Sequence, residues 1–403
     1  MTADSTVTDV PTKPVGGVWI GSLSLATLGM SVAVLTPIQV LLPLQIEAID
    51  PASKVVNLGW ITTVAAIVSI VVCPIAGALS DRTMSRFGRR RPWVLGSGLV
   101  CAAALIALGS QQALLGVAVL WAVVQAGTNA MYAALTASVP DQVPVRQRGL
   151  VSAFIGLPIP LSLILGTFLV TSVVTGQYGG YLVLALLLLA LIVPFLLNPL
   201  DRKPARPPVS TPFRVRGSRD LGWAFGCRFA IQLANAVGTL YLLYYLRDVV
   251  KHPDPPKAVF VLIVLYTAGV LLTSVIAGKW SDRTGRRKVF VVVSSVIVGA
   301  AMLILGFGQS WPSALVAAAL MGVGYGVYLA VDNALITEVL PSEASRARDL
   351  GIVNIANTAP QAVAPAVAGA VITALGGYTG LYVLAAVAAL IGAALIRPVR
   401  AVR

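Results

Sequence analysis

Residues 77–93 read GALSDRTMSRFGRRRPW, and residues 278–288 answer them with GKWSDRTGRRK. Removing Met84, Ser85, Arg86 and Phe87 from the first leaves SDRTGRR in both. A second correspondence follows at a constant offset of 200 residues: Ala134, Leu135, Val139, Arg146, Arg148 and Leu150 meet Ala334, Leu335, Val339, Arg346, Arg348 and Leu350. Two matches in the same order describe a chain built from two related halves. Each match joins an apolar run to a polar loop, so both sit at the ends of long hydrophobic segments.

Working outward, those segments fill most of the chain. Of 403 residues, 57% are apolar and 11% are charged, and mean hydropathy is +0.88. A water-soluble domain carries roughly 25% charged residues, so most of the outer surface faces lipid. A bilayer core takes roughly 17–25 apolar residues per helix. Stretches of that length fall near 18–45, 56–80, 93–113, 115–139, 150–174, 180–198, 222–246, 258–278, 289–308, 311–338, 351–375 and 380–397. The expected fold is therefore an all-α membrane protein with twelve transmembrane helices. Residues 1–16 are polar and no small-residue cleavage site follows the first apolar run, so that run is expected to be retained as a helix.

The net charge of +14 is explained by its placement. Of the 29 Lys and Arg, 24 fall in the termini and even-numbered loops, four (Lys54, Arg247, Lys251, Lys257) in odd-numbered loops, and Arg228 inside a span. This asymmetry predicts a multi-pass protein of the inner (cytoplasmic) membrane with both termini in the cytoplasm. It also removes the reason to expect a nucleic-acid partner. Cys73, Cys101 and Cys227 lie in apolar runs and suit neither a disulfide framework nor a metal site. His252, in a Pro-rich loop, reads as solvated. No glycine loop ends in Lys-Ser/Thr, and no nucleophile has a histidine in reach, so the chain reads as neither an enzyme nor a cofactor binder.

The Pro-, Ser- and Arg-rich stretch 199–221 divides the chain into a bundle at 18–198 and a second at 222–397, flanked by tails at 1–17 and 398–403. The loop residues Gly77, Ser80, Asp81, Arg82, Gly88, Arg89 and Arg90 resemble the signature of the major facilitator superfamily. Gly278, Asp282, Arg283, Gly285, Arg286 and Arg287 repeat it in the second half. That resemblance covers the whole chain and implies two six-helix bundles related by a pseudo-two-fold axis, a monomer, and alternating access. SDRTMSRFGRRRPW (80–93) is further similar to the equivalent loop of sucrose transporters and glycoside–cation symporters, which implies cation-coupled movement of a sugar-like solute. The sodium-coupled carriers have acidic residues in the second helix and residues 56–79 have none, which favours protons. In the loops themselves, Gly77 and Gly278 are expected to let helices approach closely. Asp81 and Asp282 are expected to accept from a neighbouring helix N-terminus, so that the two loops act as conformational latches. The alternative is that these charges set topology alone.

Ionisable groups inside a bilayer cost roughly 2.5–3.5 kcal/mol on insertion scales and are kept mainly where they work. Asp332, in the tenth span, and Arg228, in the seventh, lie at similar depth, and the resemblance puts both helices beside the central cavity. Three readings remain open: a pair coupled to protonation of Asp332, a static ion pair, or no contact. Glu47 and Glu338, near span ends, read as solvated. Polar stripes follow helical spacing at Gln125, Asn129, Tyr132 and Thr136; at Arg228, Gln232, Asn235 and Thr239; at Tyr325, Tyr328 and Asp332; and at Asn354, Asn357 and Gln361. They line a solute cavity or serve as interhelical glue. Gly322, Gly324 and Gly326 allow close packing or bending of the tenth helix, and Pro158 and Pro160 allow a kink in the fifth. The expected function is proton-coupled uptake of a sugar, glycoside or similar small polar solute. The competing one is proton-driven export of hydrophobic or amphipathic compounds; the repeat disfavours a channel or receptor.

Overall fold

The computed structural model describes residues 14–83, 85–198, 219–339 and 346–399, with side-chain surroundings throughout except at 145, 221, 282, 333–339 and 346–358. Helices follow one another with no strand among the described residues. They are α1 Gly17–Ile49, α2 Lys54–Arg82, α3 Arg91–Gly109, α4 Leu114–Gln142, α5 Arg148–Val173 and α6 Gln177–Leu197. The second set is α7, as Arg219–Leu240 and then Leu242–Asp248, α8 Pro255–Thr284, α9 Arg287–Gly308, α10 Trp311–Val339, α11 Arg346–Ala374 and α12 Gly377–Leu395. Among the described residues 10 helices are long and apolar enough to cross a membrane, and the bent pair in α7 makes 11. In α11 the apolar part is the shorter Ala359–Ala374. Helix is what lipid demands, because it satisfies each backbone group within its own segment.

The packing repeats with the sequence. In the first half α1 packs on α5 and α6, α2 on α4, α3 on α4 and α6. Adding six to each label gives the second half: α7 on α11 and α12, α8 on α10, α9 on α10 and α12. Two further pairs join the halves, α2 with α11 and α5 with α8, and these too exchange under the same shift. That pattern is a pseudo-two-fold axis between two six-helix bundles.

Three helices break, each for a local reason. Pro37 lacks an N–H and crowds the preceding turn, and α1 widens there into a π-helical turn, Pro37–Leu41. Pro158 interrupts α5 at Leu157. α7 bends by 45° at Tyr241, whose φ of −99° and ψ of 13° leave the helical region. The α10 glycines pack two ways. A Cβ at Gly322 or Gly326 would run into the α8 backbone at Tyr266 and Val270, and one at Gly324 would lie 3.0 Å from the Ser294 carbonyl of α9. Small residues there let helices meet backbone to backbone.

The two bundles touch unevenly. A set of hydrogen bonds and ion pairs crosses between them at the face with few Lys and Arg. Tyr241 Oη is 3.2 Å from the Val55 and Pro365 carbonyls. Tyr244 Oη donates to the Pro43 carbonyl at 2.8 Å. Lys54 pairs with Asp248, and Arg247 with Glu47. The halves are tied together at one face of the membrane.

Candidate functional site

The α7 stripe meets α8 and α10 and builds a ladder of polar contacts through the second bundle. Arg228 Nη1 lies 3.2 Å from Asp332 Oδ2, with side-chain exposures of 13% and 7%. Tyr328 Oη donates to Asp332 Oδ1 at 2.8 Å. One turn further, Tyr325 Oη donates to Gln232 Oε1 at 2.7 Å. Another turn on, Tyr266 Oη of α8 donates to Asn235 Oδ1 at 3.0 Å. The rings of Tyr266 and Tyr325 stack at 6.1 Å, and those of Tyr325 and Tyr328 lie at 6.0 Å. Arg228 and Asp332 are therefore in contact, which removes one of the three readings. Both charges are compensated, as burial requires, although Arg228 Nε has no partner among the described residues.

Beyond Asn235 the ladder opens into a pocket shared by both bundles, lined by Gln39, Leu163, Thr239, Tyr266, Leu305 and Met321 among others, none of them charged. Thr239 donates to the Asn235 carbonyl at 3.0 Å, leaving its lone pairs available. Gln39 sits in the π-helical turn of α1, and its amide has no hydrogen bond among the described residues. Where a helix widens into a π turn, functional sites are common. The pocket thus lies between the break in α1 and the break in α7, the corresponding helices of the two halves.

The stripe on α4 behaves differently. Asn129 Nδ2 donates to the Gln125 carbonyl at 2.9 Å, and Thr136 Oγ1 to the Tyr132 carbonyl at 2.7 Å. These bonds stay within the helix, and Tyr132 is 37% exposed. This face makes no hydrogen bond to a side chain of another helix among the described residues, and Tyr132 lies near Cys73 of α2. Gln361 of α11 is exposed, and the side chains of Asn354 and Asn357 lie outside the described residues.

The first latch loop is knit together. Asp81 Oδ1 accepts from Arg89 Nη2 at 3.0 Å and Arg90 Nη2 at 2.6 Å. Arg90 Nε donates to Asp141 Oδ2 at 2.8 Å, tying the loop to the end of α4. Asp81 is thus held by guanidinium groups of its own loop, where a helix N-terminus was expected. Nor do Gly77 and Gly278 mark helix contacts: a Cβ at Gly77 meets nothing within 4 Å, and at Gly278 only Ala330 Cβ at 3.9 Å. Gly88 and Gly285 do need to be glycine, with φ of 99° and 63°, a region other residues avoid. In the second loop Arg283 and Arg286 are exposed, as is Arg82 in the first; the side chain of Asp282 lies outside the described residues.

Sequence reasoning missed Gln39, Tyr266 and Asp141, and it read Glu47 as solvated. Pro37 in the middle of an apolar run was the available signal for Gln39. Tyr266 stands on α8, which carries none of the polar stripes read from the sequence. Glu47 in fact pairs with Lys54 at 2.9 Å and with Arg247 of the other bundle. A solvated reading fails there because the partners come from other helices.

A family model described as Major Facilitator Superfamily matches residues 18–253 and 255–403. A Bacillus subtilis (strain 168) protein described as an uncharacterized MFS-type transporter, YfiU, is 27% identical over 122 residues, 30% of this chain and 23% of that protein. Myo-inositol transporters 3 and 3C of Cryptococcus neoformans var. grubii are 32% and 31% identical over 125 and 124 residues, 31% of this chain and 21% of each relative. The alignments thus span less than a quarter of the length of each curated relative.

Proposed function

This chain belongs to the Major Facilitator Superfamily, and from that membership we propose that it is a proton-coupled secondary transporter taking up a small, uncharged, hydroxyl-bearing solute by alternating access. The observation that carries the reading is the tie between the two bundles at one face. A face held shut by such a tie is what one of the two states of alternating access requires, and in transporters of this kind the solute site lies near the midplane between repeats. The pocket between the α1 and α7 breaks is that site, with Gln39 and Thr239 offering hydrogen bonds. Arg228 and Asp332 are the coupling pair, because protonating Asp332 removes the charge that holds Arg228. The duplicated loops are latches for the opposite state.

By the Lys and Arg count, the tied face is external and both termini are cytoplasmic. A sugar- or polyol-type solute is supported by the amide–tyrosine ladder and by the names of the two myo-inositol transporters. A second reading, export of amphipathic compounds, is favoured by the apolar walls of the pocket. The test is the external pH of lightly buffered cells expressing the protein while sugars, polyols and glycosides are added. Alkalinisation with one solute, lost in Asp332→Asn, is expected. Silence across the panel together with energy-dependent dye efflux would replace uptake with export.

A further inference from the structure

Four charges at the tied face, two from each bundle, alternate in sign along one chain of contacts. Arg247 of α7 pairs with Glu47 of α1. Glu47 Oε1 accepts from Lys54 Nζ of α2 at 2.9 Å, and Lys54 Nζ reaches Asp248 Oδ1 of α7 at 2.7 Å. Asp248 Oδ2 accepts from Tyr378 Oη of α12 at 2.9 Å, and Lys54 Nζ lies 5.0 Å from the Tyr244 ring centroid. Glu47 and Lys54 have side-chain exposures of only 14%, so these are not freely solvated surface pairs.

The arrangement has a mechanical consequence. Separating the bundles breaks Arg247–Glu47 and Lys54–Asp248, yet it leaves Glu47 beside Lys54 on one side and Arg247 beside Asp248 on the other. Each half departs with no net charge here: Glu47 keeps its ion pair with Lys54, and Arg247 and Asp248, neighbours in sequence, are 36% and 32% exposed. An unpaired buried charge costs several kcal/mol, and this geometry avoids creating one. A tie built this way holds firmly and still releases.

Resting on the alternating-access reading, we propose that Arg247, Glu47, Lys54 and Asp248 form a reversible ionic lock that holds this face of the transporter shut. Its position on α7 links it to the pocket. Thr239 lines the pocket, Tyr241 is the bend, and Arg247 and Asp248 end the short segment beyond it. Solute contact with Thr239 and release of the lock are thus two ends of one element.

The test places a single reporter, Thr239→Cys, in a chain whose Cys73, Cys101 and Cys227 are replaced by Ser. Its labelling by a membrane-impermeant maleimide is timed from each face, in right-side-out and inside-out vesicles. Lys54→Glu puts three acids together and is expected to speed labelling from the tied face about tenfold, while slowing it from the other. Inverting all four charges (Glu47→Lys, Lys54→Glu, Arg247→Glu, Asp248→Lys) restores the alternation and is expected to return both rates to near those of the parent. The lock is overturned if Lys54→Glu leaves the rates unchanged, if labelling rises equally at both faces as in a misfolded variant, or if the fourfold inversion labels as fast as the single change. No solute is needed, so a failed uptake assay leaves this readout intact.

Discussion

The two halves of this protein share a plan and differ in the polar contacts that their helices make inside the membrane. The first half concentrates its ionic order in the loop between α2 and α3, where Arg89 and Arg90 are 4% and 3% exposed and hold Asp81 and Asp141. The second half has Arg283 and Arg286 of its own copy exposed, as Arg82 is in the first, while its Arg287 is half-buried and partnered. It concentrates its order inside the membrane, in the ladder from Arg228–Asp332 to Tyr266–Asn235. The first half's α4 stripe instead makes its hydrogen bonds within its own helix among the described residues. The two halves therefore share a scaffold, and among the described residues the ion pair buried between helices inside the membrane belongs to the second.

The largest effect is expected where burial is deepest. Arg228→Leu leaves Asp332 without its cation, at a cost of about 3–5 kcal/mol unless the acid takes up a proton. Adding Asp332→Asn should recover most of the thermal stability in detergent while transport stays lost. A double variant that transports as well as the parent would make the pair a packing device and erase the functional side of the comparison.

An intermediate effect is expected in the loops. Arg90→Ala removes charge-assisted bonds to Asp81 and Asp141, worth roughly 1–2 kcal/mol after allowing for the partly exposed carboxylates. Arg286→Ala should stay within about 0.5 kcal/mol, as surface changes do. Thermal unfolding of both variants checks this, and equal losses would mean that the two loops are equivalent after all.

The smallest effect sharpens the difference between stripes. Tyr325→Phe deletes an interhelical bond worth about 0.6 kcal/mol in membranes, so a slight drop in melting temperature is expected. Gln125→Leu removes no cross-helix bond and should leave stability unchanged while raising the KM for the solute. A stability loss at Gln125 would show that the α4 face packs against something and is not open to the cavity.

What could be read from the chain alone followed from sums over neighbouring residues. Apolar run length marked the helices, and the repeated SDRTGRR marked the two halves. Helical spacing even grouped Arg228 with Gln232 and Asn235, and Tyr325 with Tyr328 and Asp332, because a face is a property of one helix. Which face meets which is not such a property. That Tyr266 of α8 would complete the ladder, that Asp81 would be held by its own loop's arginines, and that Glu47 would cross to Arg247 depended on how helices distant in sequence pack. The breaks at Pro37 and Tyr241 show the same division. The sequence announces a proline in a long apolar run, but only the packed bundles bring Gln39 opposite Thr239. Local chemistry determined the elements and their two-fold plan, and the tertiary contacts decided where charge is buried and which face is shut, because partner choice is settled by geometry between helices and not along them.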